Sequence, residues 1–284
     1  MTQTVAQKLQ GSSVAVSFSS AFFGFYHHAG VLKALVENGV TPAQVAGTSA
    51  GAIVAAMYGA GMSPDEICDA LLTIKRKDFW DFQFPFTKTG FGWLAGKRFA
   101  AALSRMLPVH NFESCRIPVS LGVYRVRDGR SVQMQSGSLI QGVVASCAVP
   151  YLFQPVSIGG EIYWDGGFQE KTPLGLFAHT DIETIFVSHM PPREHRGGTA
   201  KKGLFANIAF TADTPPEERR ERDRAAVRIL REMGKSVIVF SPDRIWLGPF
   251  SLDKAEEAMT YGYEKACHAL AQTDETALGS DELR

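Results

Sequence analysis

Apolar and polar positions alternate along this chain in two periods. Val14 to Phe18, Thr184 to Ser188 and Ser236 to Phe240 are short, nearly continuous apolar runs, the pattern of strands covered on both faces. Between them, Tyr26 to Asn38, Ala50 to Tyr58, Pro64 to Ile74, Lys97 to Met106, Ile140 to Cys147, Glu217 to Met233 and Leu252 to Ala271 read as helices. Ser63 with Glu66 three places on forms a capping box that opens the helix at Pro64. Gln44 to Ala46 and Glu161 to Trp164 are short strands that run into glycine-rich turns, and Ile117 to Val126 pairs with Ser131 to Gln135 around Asp128-Gly129. Strands alternating with helices predict an α/β fold. No repeat or linker interrupts the pattern, so residues 1–271 are expected to form a single domain. Residues 272–284 read as a disordered tail and Pro191 to Gly203 as a mobile loop.

One stretch fits neither period. Phe79, Trp80, Phe82, Phe84, Phe86, Phe91 and Trp93 crowd into the segment from Phe79 to Trp93. Either these rings pack a long connection onto the core, or they form a wall for acyl chains that touches a membrane surface.

Composition narrows the function. Lys+Arg and Asp+Glu are both 29, so the net charge is zero, and 45% of the residues are hydrophobic. A nucleic-acid partner would call for a basic excess, so none is expected. Cys68, Cys115, Cys147 and Cys267 are too far apart for a redox or zinc pair and read as small apolar residues in a reducing compartment. The polar first residues and the lack of a long apolar run predict a cytoplasmic protein that visits membranes at most peripherally.

The chemistry is concentrated in Gly47-Thr48-Ser49-Ala50-Gly51, a GxSxG between a short strand and an apolar helix. Such a turn exposes a serine oxygen at a helix N-terminus, where the dipole favours negative charge. Gly47 and Gly51 are the glycines that let the turn close. The base could be a histidine after an intervening acid, or a carboxylate acting directly. The α/β-hydrolase arrangement places its elbow after several strands, and only two precede Ser49. Asp165, at a strand end and followed by Gly166-Gly167, suits direct action. Interleaved Arg219, Arg220, Arg222 and Arg224 with Glu217, Glu218, Glu221 and Asp223 read as a solvated helix face.

These residues resemble the patatin-like phospholipases over most of the chain. Gly30-Val31-Leu32-Lys33-Ala34-Leu35 is similar to the family's first helix and Gly47 to Tyr58 to its elbow. Ala145 to Pro150 is similar to the segment before its base, Trp164-Asp165-Gly166-Gly167 to its DGG, and Gly248-Pro249-Phe250 to its C-terminal end. The resemblance implies a three-layer α/β/α sandwich with a mainly parallel central sheet. It also implies Ser49 as nucleophile, Asp165 as base, and lipid-ester hydrolysis with no cofactor and no metal.

One segment departs from the family. Its oxyanion loop has the form GGGxRG, and here Ser19-Ser20-Ala21-Phe22-Phe23-Gly24 stands in that place. Ser19, Ser20, Ala21 and Gly24, together with Ala50, are the expected amide donors to an oxyanion. Phe22, Phe23, Trp80 and Phe84 are the expected acyl-site lining. A non-glycine forced to positive φ in this loop would cost about 1–2 kcal/mol. A mis-aimed donor would slow the reaction roughly 10²–10³-fold, which leaves a lipid-binding pseudoenzyme as the alternative. His27 and His28, beside the loop, read as a packed or solvated pair rather than as substrate contacts.

Overall fold

A computed structural model describes residues 3–191 and 217–273 of the chain. Within them an eight-stranded sheet divides two layers of helices. Five strands run parallel in the order β11 (Ser236–Phe240), β10 (Thr184–Ser188), β1 (Val14–Phe18), β2 (Gln44–Thr48) and β5 (Val119–Arg125). Three more, β6 (Arg130–Met134), β9 (Glu161–Asp165) and β8 (Val156–Ile158), are antiparallel additions beyond β5.

The sheet is covered on both sides because its strands alternate between two apolar cores. Val14, Val16 and Phe18 of β1, Phe186 of β10, and Ile238 and Phe240 of β11 face the larger core. That core also takes α1 (Val5–Gln10), α2 (Phe25–Glu37), α3 (Ala50–Gly59), α4 (Pro64–Leu72), α6 (Lys97–Met106), α7 (Leu139–Ser146) and α9 (Ala255–Leu270). Ala15, Ala46, Ile185, Val187, Val237 and Val239 face the other way, onto Phe177 and onto Val227 and Leu230 of α8 (Glu217–Glu232). A strand with period two and apolar residues on both faces can be stable only between two layers.

The capping box forms as the sequence predicts, with Glu66 accepting from the Ser63 amide at 2.8 Å. The predicted helices and sheet strands are present with ends shifted by a few residues. Several features escape the sequence pattern, among them strand β8 and the 3-10 turns Phe112–Ser114 and Gly175–His179. Helix α1 forms in the polar N-terminal stretch, capped by Thr4. Leu252–Lys254 is a separate 3-10 turn before α9. The aromatic stretch contains a four-residue helix, α5 (Arg76–Phe79), then β3 (Phe86–Thr87) and β4 (Gly90–Leu94), which join β7 (Tyr151–Phe153) in a second, three-stranded sheet. The loop from Pro191 to Gly203 falls outside the described residues beyond Pro191. So does the predicted tail from residue 274, whereas the Gln272 carbonyl accepts from the Val5 amide at 2.8 Å.

Strand β5 brings the two candidate catalytic residues together. Its first half pairs with β2, ending at Thr48 against Gly122. Its second half pairs with β9, whose last residue Asp165 lies against Val123. Because β6 runs along residues 121–125 of β5, β2 and β9 must share the opposite edge. There they meet head to head, one ending just before Ser49 and the other at Asp165.

Candidate active site

Ser49 sits between β2 and α3 with φ 54° and ψ −117°, left-handed backbone that a side chain rarely adopts. The flanking glycines are needed for space rather than for φ. A Cβ at Gly47 would strike the Gly51 carbonyl, and one at Gly51 would strike the Phe18 carbonyl of β1. The turn is therefore wedged between its own helix and the neighbouring strand.

The strained residue is held at both of its backbone polar groups. Its amide donates to the Ser146 hydroxyl at 2.8 Å, and that hydroxyl donates to the Gly122 carbonyl at 2.7 Å. Its carbonyl accepts from the Cys147 thiol at 3.3 Å and from the Ala52 amide at 2.9 Å. Burial, and then the nearby Asp165 charge, push the Cys147 thiol well above its ordinary range, so it stays protonated and donates. One residue further on, the Ala148 carbonyl accepts from the Asp165 amide at 3.0 Å. Three consecutive residues at the C-terminal end of α7 thus grip both members of the pair.

Asp165 is only 5% exposed. The Ser49 side chain lies beside its carboxylate, and the Gly167 amide donates to Oδ1 at 2.8 Å. Burial pushes the carboxyl up to about 7, while the Ser49 side chain, the Gly167 amide and the charge of Arg219 pull it down. Among the described residues no histidine bonds to Ser49 or Asp165; His195 lies outside them. No cluster of three or more metal-ligating side chains occurs among the described residues either.

Arg219 and Asp223 correct the reading of α8 as a solvated face. Both are buried, one turn apart, on the stripe that continues into Val227 and Leu230. Arg219 donates to the Gly167 carbonyl, just beyond Asp165. Asp223 accepts from the Thr172 amide at 3.4 Å, and burial pushes its carboxyl up to about 7. The spacing 219, 223, 227, 230 was the available signal; the dense charge along the helix masked it.

The loop from Ser19 to Gly24 narrows the expected set of oxyanion donors. A backbone amide has one proton. That of Ser19 goes to Ser188 O at 3.0 Å, that of Ser20 to Lys171 O at 2.7 Å, and that of Gly24 to Ala21 O at 3.0 Å. Ser19, Ser20 and Gly24 are therefore committed elsewhere, whereas the amides of Ala21 and of Ala50, the first residue of α3, have no such partner among the described residues. The loop's positive φ falls on Phe23, at 52°, and not on Ser19, Ser20 or Ala21. The Phe23 ring is pinned between Phe22, Phe25 and Phe79 at centroid distances of 4.9, 5.6 and 5.4 Å.

His28 anchors the loop from behind. Its Nε2–H donates to Ser19 O at 2.9 Å, so Nδ1 accepts from the Ser188 hydroxyl at 2.9 Å. His27 Nε2 accepts from the Ile245 amide at 2.9 Å. Burial pushes both imidazoles down to about 3, so they are neutral packing groups, as the sequence predicts. The expected acyl-site lining divides. Phe22 packs with Leu94, Val149 and Leu152, beside the loop. Trp80 is half-buried against Phe82 and Phe250. Phe84 is 75% exposed and faces outward, which removes it from the lining.

A family model described as patatin-like phospholipase matches residues 16–178, which is more than half of the chain. The chain belongs to the patatin-like phospholipase family. It is 28% identical over 192 residues to an uncharacterized NTE family protein of Mycobacterium tuberculosis, covering 66% of this chain and 53% of that one. It is 29% identical over 184 residues to the omega-hydroxyceramide transacylase of Mus musculus, covering 60% of this chain and 29% of that one. The chain thus spans about half the length of the mycobacterial relative. A crystal structure of VipD from Legionella pneumophila aligns with a TM-score of 0.49 at 14% identity, over 91% of this chain and 66% of that one. Among the described residues no helix is long and apolar enough to cross a membrane.

Proposed function

We propose that this patatin-like phospholipase family member is a serine lipid acyl hydrolase. In this reading it cleaves carboxylic esters of phospholipids, lysophospholipids or acylglycerols through an acyl-enzyme on Ser49. The observation that carries the reading is the buried Asp165 carboxyl, pushed up to about 7, beside Ser49 where the ends of β2 and β9 meet on β5. A base with that pKa is half ionised at neutral pH and holds an abstracted proton well enough to return it.

Ser49 Oγ attacks the ester carbonyl carbon while its proton passes to Asp165. The oxyanion is held by the amides of Ala21 and Ala50, the latter backed by the α3 dipole. As the C–O bond breaks, Asp165 returns the proton to the departing alcohol. Water then attacks the acyl-enzyme, its proton goes to Asp165, and the fatty acid leaves as Ser49 regains a hydrogen. Transfer of the acyl group to a lipid hydroxyl would use the same intermediate and the same residues. The open amides at Ala21 and Ala50 favour a working site over a lipid-binding pseudoenzyme.

A lipid panel read by mass spectrometry, with Ser49→Ala alongside, tests the reading. Release of fatty acid by the native chain and none by the variant is expected. Equal release by both would sink the mechanism. A fluorophosphonate probe that fails to label the native protein would favour the pseudoenzyme.

A further inference from the structure

The outer face of the small β3–β4–β7 sheet runs against the usual rule for a sheet at a surface. A two-sided ribbon normally buries apolar residues and turns polar ones to water. Here Gly92 and Leu94 face inward, Leu94 packing on Val149, Leu152 and Phe22, yet the alternate positions are also aromatic. Phe82, Phe84 and Phe86 recur at every second residue, and all three are exposed, Phe86 by 66%. On the paired strand Phe91 and Trp93 occupy the same outer face, with Phe91 5.1 Å from Phe86 and 5.9 Å from Trp93. Tyr151 completes the patch at 6.3 Å from Phe91. It holds φ 68°, left-handed backbone unusual for so bulky a residue, while 66% exposed. The turn after Pro150 accounts for that backbone, since the Leu152 and Phe153 amides both donate to the Val149 carbonyl at 3.2 and 3.0 Å, and it leaves the ring standing outward.

The segment that carries these rings exposes charge of one sign. Residues 75–98 contain Lys75, Arg76, Lys77, Lys88, Lys97 and Arg98, all exposed, against Asp78 and Asp81. Both aspartates are turned inward onto backbone amides: Asp78 accepts from Lys75 N at 2.8 Å, and Asp81 from Gly96 N and Arg98 N at 3.0 Å each. The segment that carries the rings therefore exposes six cations and turns its two carboxylates inward, in a protein of zero net charge. Its inner side meets the oxyanion loop, through Phe22 against Leu94 and through Phe79 of α5 against Phe23.

We infer that this aromatic face docks the protein onto a lipid surface carrying anionic headgroups, with the rings in the interfacial layer and the six cations at the headgroups. Aromatic side chains favour that layer, and each nearby Lys or Arg adds attraction to an anionic leaflet. A protein partner would bring its own backbone and polar groups to satisfy, and the face offers rings with few polar partners. The inference rests on the lipid-ester reading for its purpose: substrate would reach Ser49 from the surface on which the enzyme sits.

Vesicle flotation tests it independently of catalysis. The full chain and Ser49→Ala are expected to float equally with phosphatidylcholine vesicles containing phosphatidylserine, and less with phosphatidylcholine alone. Phe86→Ser with Trp93→Ser should lower partitioning about tenfold or more, with an unchanged melting curve and unchanged hydrolysis of a soluble short-chain ester. Lys88→Glu with Lys97→Glu should lower binding only to the anionic vesicles, and it decides the question if the aromatic variant unfolds. Absence of vesicle binding, equal binding by both variants, or a patch-dependent dimer that ignores vesicles would each overturn the inference. Vesicle binding without hydrolysis would sink the catalytic reading and leave this one standing.

Discussion

The Ser146 hydroxyl accepts a hydrogen bond from the Ser49 amide at 2.8 Å and donates one to the Gly122 carbonyl at 2.7 Å. The left-handed backbone of Ser49, the proposed nucleophile, is thereby tied to the central strand β5. Ser146→Ala removes that tie and leaves a buried amide and carbonyl without this partner, at a cost of about 1–3 kcal/mol. The expected result is a kcat lower by about tenfold or more with KM little changed, since the loss is of positioning rather than binding. Loss of stability with unaltered kcat would show that Ser146 only braces the fold.

Asp165 sets a pH dependence. Only its ionised form can accept the Ser49 proton, so kcat/KM should rise with pH through about 7 and then level off. Stability runs the other way. A carboxyl whose pKa is raised from 3.8 to about 7 in the folded state binds its proton more tightly there than when unfolded. Its stabilising contribution is full below pH 3.8 and is lost as pH rises through about 7. Asp165→Asn should therefore abolish turnover and, at pH 8, melt above the native protein. A variant that melts lower at pH 8 would contradict the burial cost assigned to this group.

Arg219 tunes the same carboxyl. Its positive charge favours the ionised form, so Arg219→Gln should move the pH–rate profile to higher pH. Activity at pH 7 would fall severalfold and recover at pH 9. An unshifted profile with uniformly lower activity would assign Arg219 to holding the Gly167 carbonyl alone.

Gly51→Ala places a methyl group against the Phe18 carbonyl of β1. Neither the strand nor the helix can move without breaking the elbow, so a loss of about 3 kcal/mol or more is expected from thermal or urea melts, together with loss of fluorophosphonate labelling. Near-native labelling would mean that the elbow has more room than its contacts indicate.

The local order of this protein was written in the sequence because it depends on neighbours along the chain. The apolar runs at Val14 to Phe18 and Ser236 to Phe240, the Ser63–Glu66 box and the GTSAG turn need no distant partner to be recognised. Ser49 and Asp165 were legible for the same reason, each marked by glycines beside it. Three matters required the third dimension. The meeting of Ser49 and Asp165 is made by one edge of β5, where strands 117 residues apart in sequence end side by side. The burial of Arg219 and Asp223 depends on which face of α8 the sheet covers, and a helix with charge all round does not announce it. The candidate oxyanion donors depend on which amides are already spent, and Ser188 and Lys171, far along the chain, had claimed those of Ser19 and Ser20. A hydrogen bond between remote residues leaves no period in a sequence, so only the packed chain could assign it.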